Sequence, residues 1–314
     1  MSTAAVGLAF ALDALAGEPP TRLHPVAWFG RLVAPLDRSW SRPRLVGALG
    51  TVVLPLGAAL AVGTVVVVAG VWRPLAGAVA GGVALFLTTS LRRLLAVARD
   101  VTAASERDLD AARGELRALA GRDASALSAG EVRSAVVESV AENIADGLVA
   151  PLAAFAVLAV LGSRLSDTLA TGVDSAVLAV AVGVAGAAWV KTVNTMDSML
   201  GYRSKPVGWA PARLDDAVMW LPARASAVLL AAACLAPGSL ASARRWVDDV
   251  PSPNSGWPMG TVAAALGVRL VKPGVYELGG DAALPTAADV ERTVRRVGLA
   301  GVLAYLVVGV VTWG

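Results

Sequence analysis

The sequence predicts an all-α polytopic membrane protein: about five transmembrane helices, further re-entrant or interfacial helices, cytoplasmic helical segments and one small β-hairpin near 268–278. Three observations lead there. Hydrophobic residues make up 56% of the 314-residue chain and charged residues only 16%, and mean hydropathy is +0.65, well to the apolar side of soluble globular usage. Several uncharged runs approach or exceed the ~18 residues that mark a bilayer span. The polar residues gather into three segments, 17–45, 92–146 and 191–296, which are expected to face the cytoplasm from a single membrane-embedded domain covering 1–314. The formal charge of +3 comes from Arg-rich loops, a pattern suited to anionic headgroups and a positive-inside topology. No basic stripe interleaved with aromatics points to nucleic acid, so the expected macromolecular partner is the lipid bilayer, and the chain is compatible with a homo-oligomer. The one cysteine, Cys234, sits in an apolar run and excludes a disulfide framework or thiolate cluster.

Taken in order, residues 1–12 are apolar but short for a span, hence interfacial or re-entrant. Ala14-Leu15-Ala16 resembles a signal-peptidase site, yet nothing charged precedes Asp13, and a signal peptide needs a basic n-region. Segment 17–45 reads as a loop containing the only histidine, His24, placed on extended backbone by Pro25. Run 46–71 carries no charge and is long enough to cross with tilt. Trp72-Arg73-Pro74 is a minimal turn, and 75–91 returns. Leu94, Leu95, Ala98 and Val101 continue a helix into the polar segment, and Leu109, Leu116 and Leu119 suggest a second. Gly121-Arg122-Asp123 breaks that helix. Ser128 and Glu131 have the spacing of a capping box that starts a third. Runs 147–162 and 168–190 are apolar; Asp174 is a carboxylate near a helix end, able to reach the interface. Residues 225–236 are apolar but stop at Pro237-Gly238. VRLVKPGVYEL reads as two short strands about a Pro273-Gly274 type II turn, after the Pro/Gly-rich loop PSPNSGWPMG. Run 297–314 closes the chain.

Two stretches concentrate chemistry. The first, KTVNTMDSMLGYRSKPVGWAPARLDD at 191–216, stands out by scarcity elsewhere: Lys occurs only at 191, 205 and 272, Asn only at 143, 194 and 254, Ile only at 144, and Gln never. If the helix continues past 190, Lys191, Asn194, Thr195 and Ser198 share a face and Asp197 lies about 100° away. Arg213, Asp216, Trp220 and Arg224 share a face of the next helix, with Asp215 pointing elsewhere. The second stretch, ESVAENIADG, stacks Glu138, Glu142 and Asp146 at i, i+4 and i+8. Like charges there cost a helix about 0.2–0.5 kcal/mol per pair, so the stack suits Mg²⁺ or a cationic substrate; the structural alternative is a solvated acidic face. His24 is either a loop-packing side chain or a proton carrier or phosphate contact. There is no GxxxxGK[ST], no GxGxxG after a strand, no HExxH and no CxxC pair.

DALAGEPPTRLHPVAWFG, ESVAENIADGLVAPL, KTVNTMDSMLGYR, GWAPARLDD followed by LPAR, and PNSGWPMG…ALGVRLVKPGVYELG form five ordered blocks from residue 13 to about 280. Together they resemble the adenosylcobinamide-phosphate synthase family of cobalamin biosynthesis. Ile144-Ala145, where that family often has a small polar pair, is the one departure and leaves the acids intact. The resemblance implies an integral membrane ligase of the cell membrane, multi-pass, with its active-site loops toward the cytoplasm. Such an enzyme uses Mg²⁺ and ATP to join aminopropanol, or its O-phosphate, to a propionate carboxyl of adenosylcobyric acid; its partners are the corrinoid and the amino-alcohol phosphate. By motif position, Lys191, Asp197, Asp215 and Asp216 are the catalytic candidates. Glu138, Glu142 and Asp146 are the metal candidates, and His24, Asn143, Asn194, Arg203, Arg213 and Asn254 the substrate-binding ones. The competing class is a membrane transporter or non-catalytic membrane partner, which would carry its polar groups at mid-membrane on broken helices rather than at membrane edges.

Charge counting refines the topology. If every run crossed, successive loops would carry 5, 1, 8, 1, 5 and 7 Lys/Arg; the first five alternate as the positive-inside rule expects and the sixth does not. The crossing at fault is 225–243, whose helical part is about 18 Å long against a core of about 30 Å. It is therefore expected not to span.

Overall fold

The computed structural model describes residues 1–169 and 172–313. Ala170 and Thr171, in the expected run 168–190, and Gly314, at the end of run 297–314, lie outside the described residues. In chain order the helices are α1 (Ser2–Leu15), α2 (Pro25–Val33), α3 (Pro43–Trp72), α4 (Pro74–Phe86), α5 (Leu91–Arg107), α6 (Leu109–Glu115) and α7 (Ala129–Ile144). A π-turn at Ala145–Val149 joins α7 to α8 (Ala150–Leu169). There follow α9 (Ser175–Leu200), α10 (Trp209–Val218), α11 (Trp220–Ala233), α12 (Ser239–Arg244), α13 (Gly256–Leu266), the strands β1 (Leu270–Lys272) and β2 (Tyr276–Leu278), and α14 (Ala287–Val311).

Five helical stretches are long and apolar enough to cross a membrane: Pro43–Trp72, Pro74–Arg107, Ala129–Arg164, Ser175–Leu200 and Ala287–Val311. The protein is thus helical and multi-pass. The expected non-spanning segment is α11 and its neighbours. Alone α11 is too short, and with Pro206–Val218 it forms a pair bent by 46°, a broken span or a re-entrant loop.

The chain divides into two compact units, Met1–Ser90 with Ala150–Val218 and Tyr305–Gly314, and Leu91–Val149 with Met219–Ala304. In the first, α9 is the central helix, packed by α8, α3, α10, α4 and α2. Its most apolar window is 67% buried, whereas that of α3 is 17% buried, so α3 offers most of its surface to lipid. Close approach at α9 depends on missing side chains. A methyl on Gly70 of α3 or Gly81 of α4 would collide with Val177 or Val180, the small-residue packing that membrane helices use in place of a hydrophobic drive.

Segment 17–45 is not simply a loop. His24 is extended (φ −82°, ψ 122°) and caps α2, whose first residue is Pro25; proline at that position fits because its absent N–H would have no helical partner. Phe29 and Val33 then bury against Met196, Leu200 and Val207, which rewards a helix that loop composition concealed. Asp174 is the N-cap of α9, accepting from the backbone N–H of Ala176 and Val177.

In the second unit the capping box forms as spaced: Ser128 and Glu131 bond reciprocally at the start of α7. The β-hairpin pairs Leu270 with Leu278 and Lys272 with Tyr276. Gly274 has φ +72° and Val275 N–H donates to Lys272 O at 2.9 Å, a type II turn. The loop PSPNSGWPMG is corrected in its second half, where Gly256 already begins α13. The expected continuous face of Arg213, Asp216, Trp220 and Arg224 does not exist, because the helix breaks at Met219 between α10 and α11.

Candidate functional site

The candidate residues fall into two clusters, one in each unit. In the first unit, α9 and α10 pack together and carry most of the 191–216 block. Asn194, 8% exposed, donates from Nδ2 to Asp215 Oδ1 at 3.5 Å. Asp197 lies within electrostatic reach of Asp216, and Asp216 within reach of Arg213. Gly201 ends α9 directly beside the Asp197 carboxylate, where any Cβ would strike Oδ1. Glycine there keeps the acid in place. Thr195 and Ser198 bond back to the carbonyls of Lys191 and Asn194.

His24 belongs to the same unit and feels the charges of Glu18 and Lys191. Its pKa lies below the ordinary value, first because burial disfavours the cation and further because of Lys191, with Glu18 opposing. Its Nδ1 accepts from Val26 N–H at 3.2 Å. A neutral imidazole that accepts at Nδ1 carries its proton on Nε2, so His24 presents a donor to an anion and is not set up as a base. Arg203 is exposed and stands outside the cluster's hydrogen bonds and ion pairs. Lys205, by contrast, is bound to Asp37 at 2.7 Å and to Met199 O at 3.1 Å.

In the second unit Glu138 has no exposed surface. It accepts from Arg122 Nη2 at 2.7 Å, from Tyr276 Oη at 2.7 Å and from Ser134 Oγ at 2.8 Å. Ser134 Oγ in turn accepts from Val271 N–H of β1 at 2.7 Å. Burial opposes the Arg122 charge, but the Glu138 carboxylate and the Tyr276 hydroxyl more than offset it and hold the guanidinium pKa above its usual value. Burial first, then Glu138, push the Tyr276 phenol upward, so it stays a donor.

Of the three acids expected to hold a metal, Glu138 is committed to protein donors. Among the described residues no group of three His, Cys, Asp or Glu is arranged to hold an ion. Glu138 already has three donors; a π-turn starts at Ala145, and across it Asp146 is still the strongest charged neighbour of Glu142. Glu142 is partly exposed and senses Asp146, Glu138, Lys272 and Arg122. Asn143 spends its amide on Ser139 O at 2.8 Å. Asn254, 6% exposed, accepts from Arg224 Nη1 at 3.3 Å.

The reading from sequence passed over four participants. Arg122 was seen only as part of a helix break, Tyr276 only as a strand residue, and Ser134 not at all. Lys272, one of three lysines, carried the same scarcity signal as Lys191. Asp13, 2% exposed, was available to the rule that flagged Asp174, since an acid in an apolar run is a functional candidate.

The fold defines a polytopic helical membrane protein that carries two clusters of charged and amide side chains. The chain belongs to the CobD/Cbib protein family, whose profile matches residues 6–300. It is similar to the probable cobalamin biosynthesis protein CobD of Methanothrix thermoacetophila, 36% identical over 95% of this chain and 93% of that one. It is also similar to the cobalamin biosynthesis protein CobD of Klebsiella pneumoniae, 36% identical over 98% and 96%, and to that of Rhodobacter capsulatus, 35% identical over 92% and 90%. No solved structure matches it.

Proposed function

We propose that this chain is an ATP-dependent amide ligase of cobalamin biosynthesis. It would join the amine of aminopropanol, or of its O-phosphate, to a propionate carboxyl of adenosylcobyric acid. The observation that carries the reading is the family match over nearly the whole chain, with relatives named as cobalamin biosynthesis proteins. The α9–α10 cluster has the right chemistry for such a step. A carboxylate that takes the terminal phosphoryl group of ATP becomes an acyl phosphate with ADP as leaving group. The amine then attacks the acyl carbon and inorganic phosphate departs. Cationic side chains must meet the phosphoryl charge as it develops, a task for Lys191 and Arg213, with the Nε2–H of His24 as a neutral donor. The ammonium must lose a proton before it attacks; Asp215, oriented by Asn194, is placed for that.

Mg²⁺ binds through one or two carboxylates plus substrate phosphates and water, so it needs no three-acid cage. Asp197 and Asp216, on packed helices and close enough to repel each other, fit that demand and would hold it. Bound there, the ion would neutralise phosphate charge.

Incubation of the purified protein with cobyric acid, aminopropanol phosphate and Mg-ATP, read by mass spectrometry, tests the reading. The new amide is expected, and its absence with folded protein would overturn it. A transport reading draws on the 46° bend between α10 and α11, since transporters bind at broken helices. It predicts no product in the same assay. The reading puts 17–45, 92–146 and 191–296 on the cytoplasmic side, where ATP is available, and the basic loops support that orientation. Ser204→Cys in a Cys234→Ala background should resist an impermeant thiol reagent in intact cells; labelling would reverse the orientation.

A further inference from the structure

Arg224, near the start of α11, is a cation held without a counterion. Its guanidinium lies 4.1 Å from the Trp220 ring centroid and 5.2 Å from that of Trp257. Nη1 donates to Trp220 O at 2.7 Å and to Asn254 Oδ1 at 3.3 Å, which uses both of its hydrogens. Among the described residues no carboxylate comes within ion-pair distance of it, whereas Arg99, Arg113, Arg122, Arg269, Arg292 and Arg295 all have one. The two indoles and the buried Asn254 therefore fix the plane and the rotation of the guanidinium. Among the described residues its Nε–Nη2 edge, a fork of parallel donors, makes no hydrogen bond.

Each part of this arrangement has a cost that structure alone does not repay. A surface arginine is ordinarily free to move; stacking on two rings surrenders rotamer entropy, and cation–π contact returns only about 0.5–1 kcal/mol at exposed sites. A fork held in one orientation matches two oxygens of a single anion, the geometry for which arginine is preferred over lysine. We propose that Arg224, with Asn254 as its positioning residue, is an anion-recognition site that takes the phosphate of a phosphomonoester on its Nε–Nη2 edge. If the ligase reading holds, on which this identification rests, that phosphate belongs to the amino-alcohol phosphate. The other source of the same chemistry is an anionic lipid headgroup, since Trp220 is 54% and Leu221 62% exposed.

The test is calorimetric titration of the full chain, purified in uncharged detergent, with three probes: inorganic phosphate, aminopropanol phosphate, and phosphatidic acid in mixed micelles. Arg224→Gln should weaken the phosphate-bearing probes by roughly tenfold to a hundredfold, the effect of losing charge-assisted hydrogen bonds. Arg224→Lys, which keeps the charge but not the fork, should fall between. Arg107→Gln, an exposed arginine of α5, should bind as wild type. Arg224-dependent binding of phosphatidic acid alone would assign the site to lipid and overturn the amino-alcohol phosphate. Unchanged affinity in monodisperse Arg224→Gln, or wild-type affinity in Arg224→Lys should the glutamine variant not fold, would overturn the site. The readout needs no turnover, so absence of amide product with phosphate binding intact would count against the ligase reading only.

Discussion

Glu138 and Asp197 are both carboxylates on helices flanked by apolar runs, and their surroundings differ in kind. Glu138 has no exposed surface, and three donors from a loop, a hairpin and its own helix converge on its two oxygens. Asp197 is partly exposed, its strongest charged neighbour is another acid, Asp216, and a glycine keeps space open beside it. A buried charge is tolerated when it is paired and fully hydrogen-bonded, and Glu138 meets that condition. Asp197 does not: the charge it feels is that of Asp216, and like charges near each other are a cost that an arriving cation or ammonium would relieve. The closed cluster is therefore read as framework and the open one as chemistry.

The largest test of that contrast is Glu138→Ala. It strands the Arg122 guanidinium, 13% exposed, and leaves the Tyr276 hydroxyl only the weak acceptor Met259 Sδ at 3.8 Å. Breaking one side of a buried pair costs about 3–5 kcal/mol, so a lower unfolding midpoint in denaturant is expected with the protein still inserted. Glu138→Gln, which keeps the shape, should lose less. A cost below about 1 kcal/mol, the value of an ordinary hydrogen bond, would show that the cluster is not framework. Lys191→Ala should behave in the opposite way. It should leave the midpoint nearly unchanged and reduce amide formation by about 10²-fold or more, the usual effect of removing one preorganised donor to developing charge. Near-normal turnover would return Lys191 to the role of an interface anchor.

Much of the architecture was legible because membrane helices announce themselves by length. Run 46–71 became α3, and the capping box and the Pro273-Gly274 turn follow from two or three residues each. What stayed hidden was set by tertiary contact. Helix α2 exists because Phe29 and Val33 find Met196 and Leu200, more than 160 positions away, and its Pro and Gly content reads locally as loop. The break at Met219 shifts helical phase, and no periodicity argument that assumes 3.6 residues per turn can carry a face across it. That failure fell on the candidate residues Arg213 and Asp216. The scarcity of Lys and Asn pointed to residues that α9 and α10 bring together, but it could not point to Arg122 or Arg224, because arginine is common in this chain.

A smaller effect tests the open side of the comparison through pH. Burial lowers the pKa of His24 below its ordinary value, so in the range between the two values the unfolded chain binds more protons than the folded one. Stability is then complete above the unfolded value of about 6.5 and declines as pH falls through the folded value. Protonation also removes the Nδ1 acceptor that caps α2. His24→Asn keeps a capping oxygen for Val26 N–H and deletes the titration. Its unfolding midpoint should fall less between pH 7 and pH 5 than that of the wild type; parallel declines would show that His24 is not buried enough to matter.

The smallest effect sharpens the comparison where it is closest, at Glu142, one turn beyond Glu138 on α7. Here an acid lies next to the closed cluster yet shares none of its hydrogen bonds, and its electrostatic neighbours include Asp146 and Glu138 as well as Lys272 and Arg122. Each like-charge pair at i, i+4 costs a helix about 0.2–0.5 kcal/mol. The pair with Glu138 lies on regular helix; the pair with Asp146 reaches into the π-turn at Ala145–Val149 and is the stronger of the two. Glu142→Gln should therefore stabilise the protein by no more than two such increments, measured as a small rise in the denaturant midpoint. Because the proposed Mg²⁺ ligands are Asp197 and Asp216, the dependence of amide formation on Mg²⁺ should be unchanged. Asp216→Asn, in the open cluster, should shift the same Mg²⁺ titration to higher concentration. A shift in the Glu142→Gln titration instead would move the metal to α7 and reverse the assignment of the two clusters.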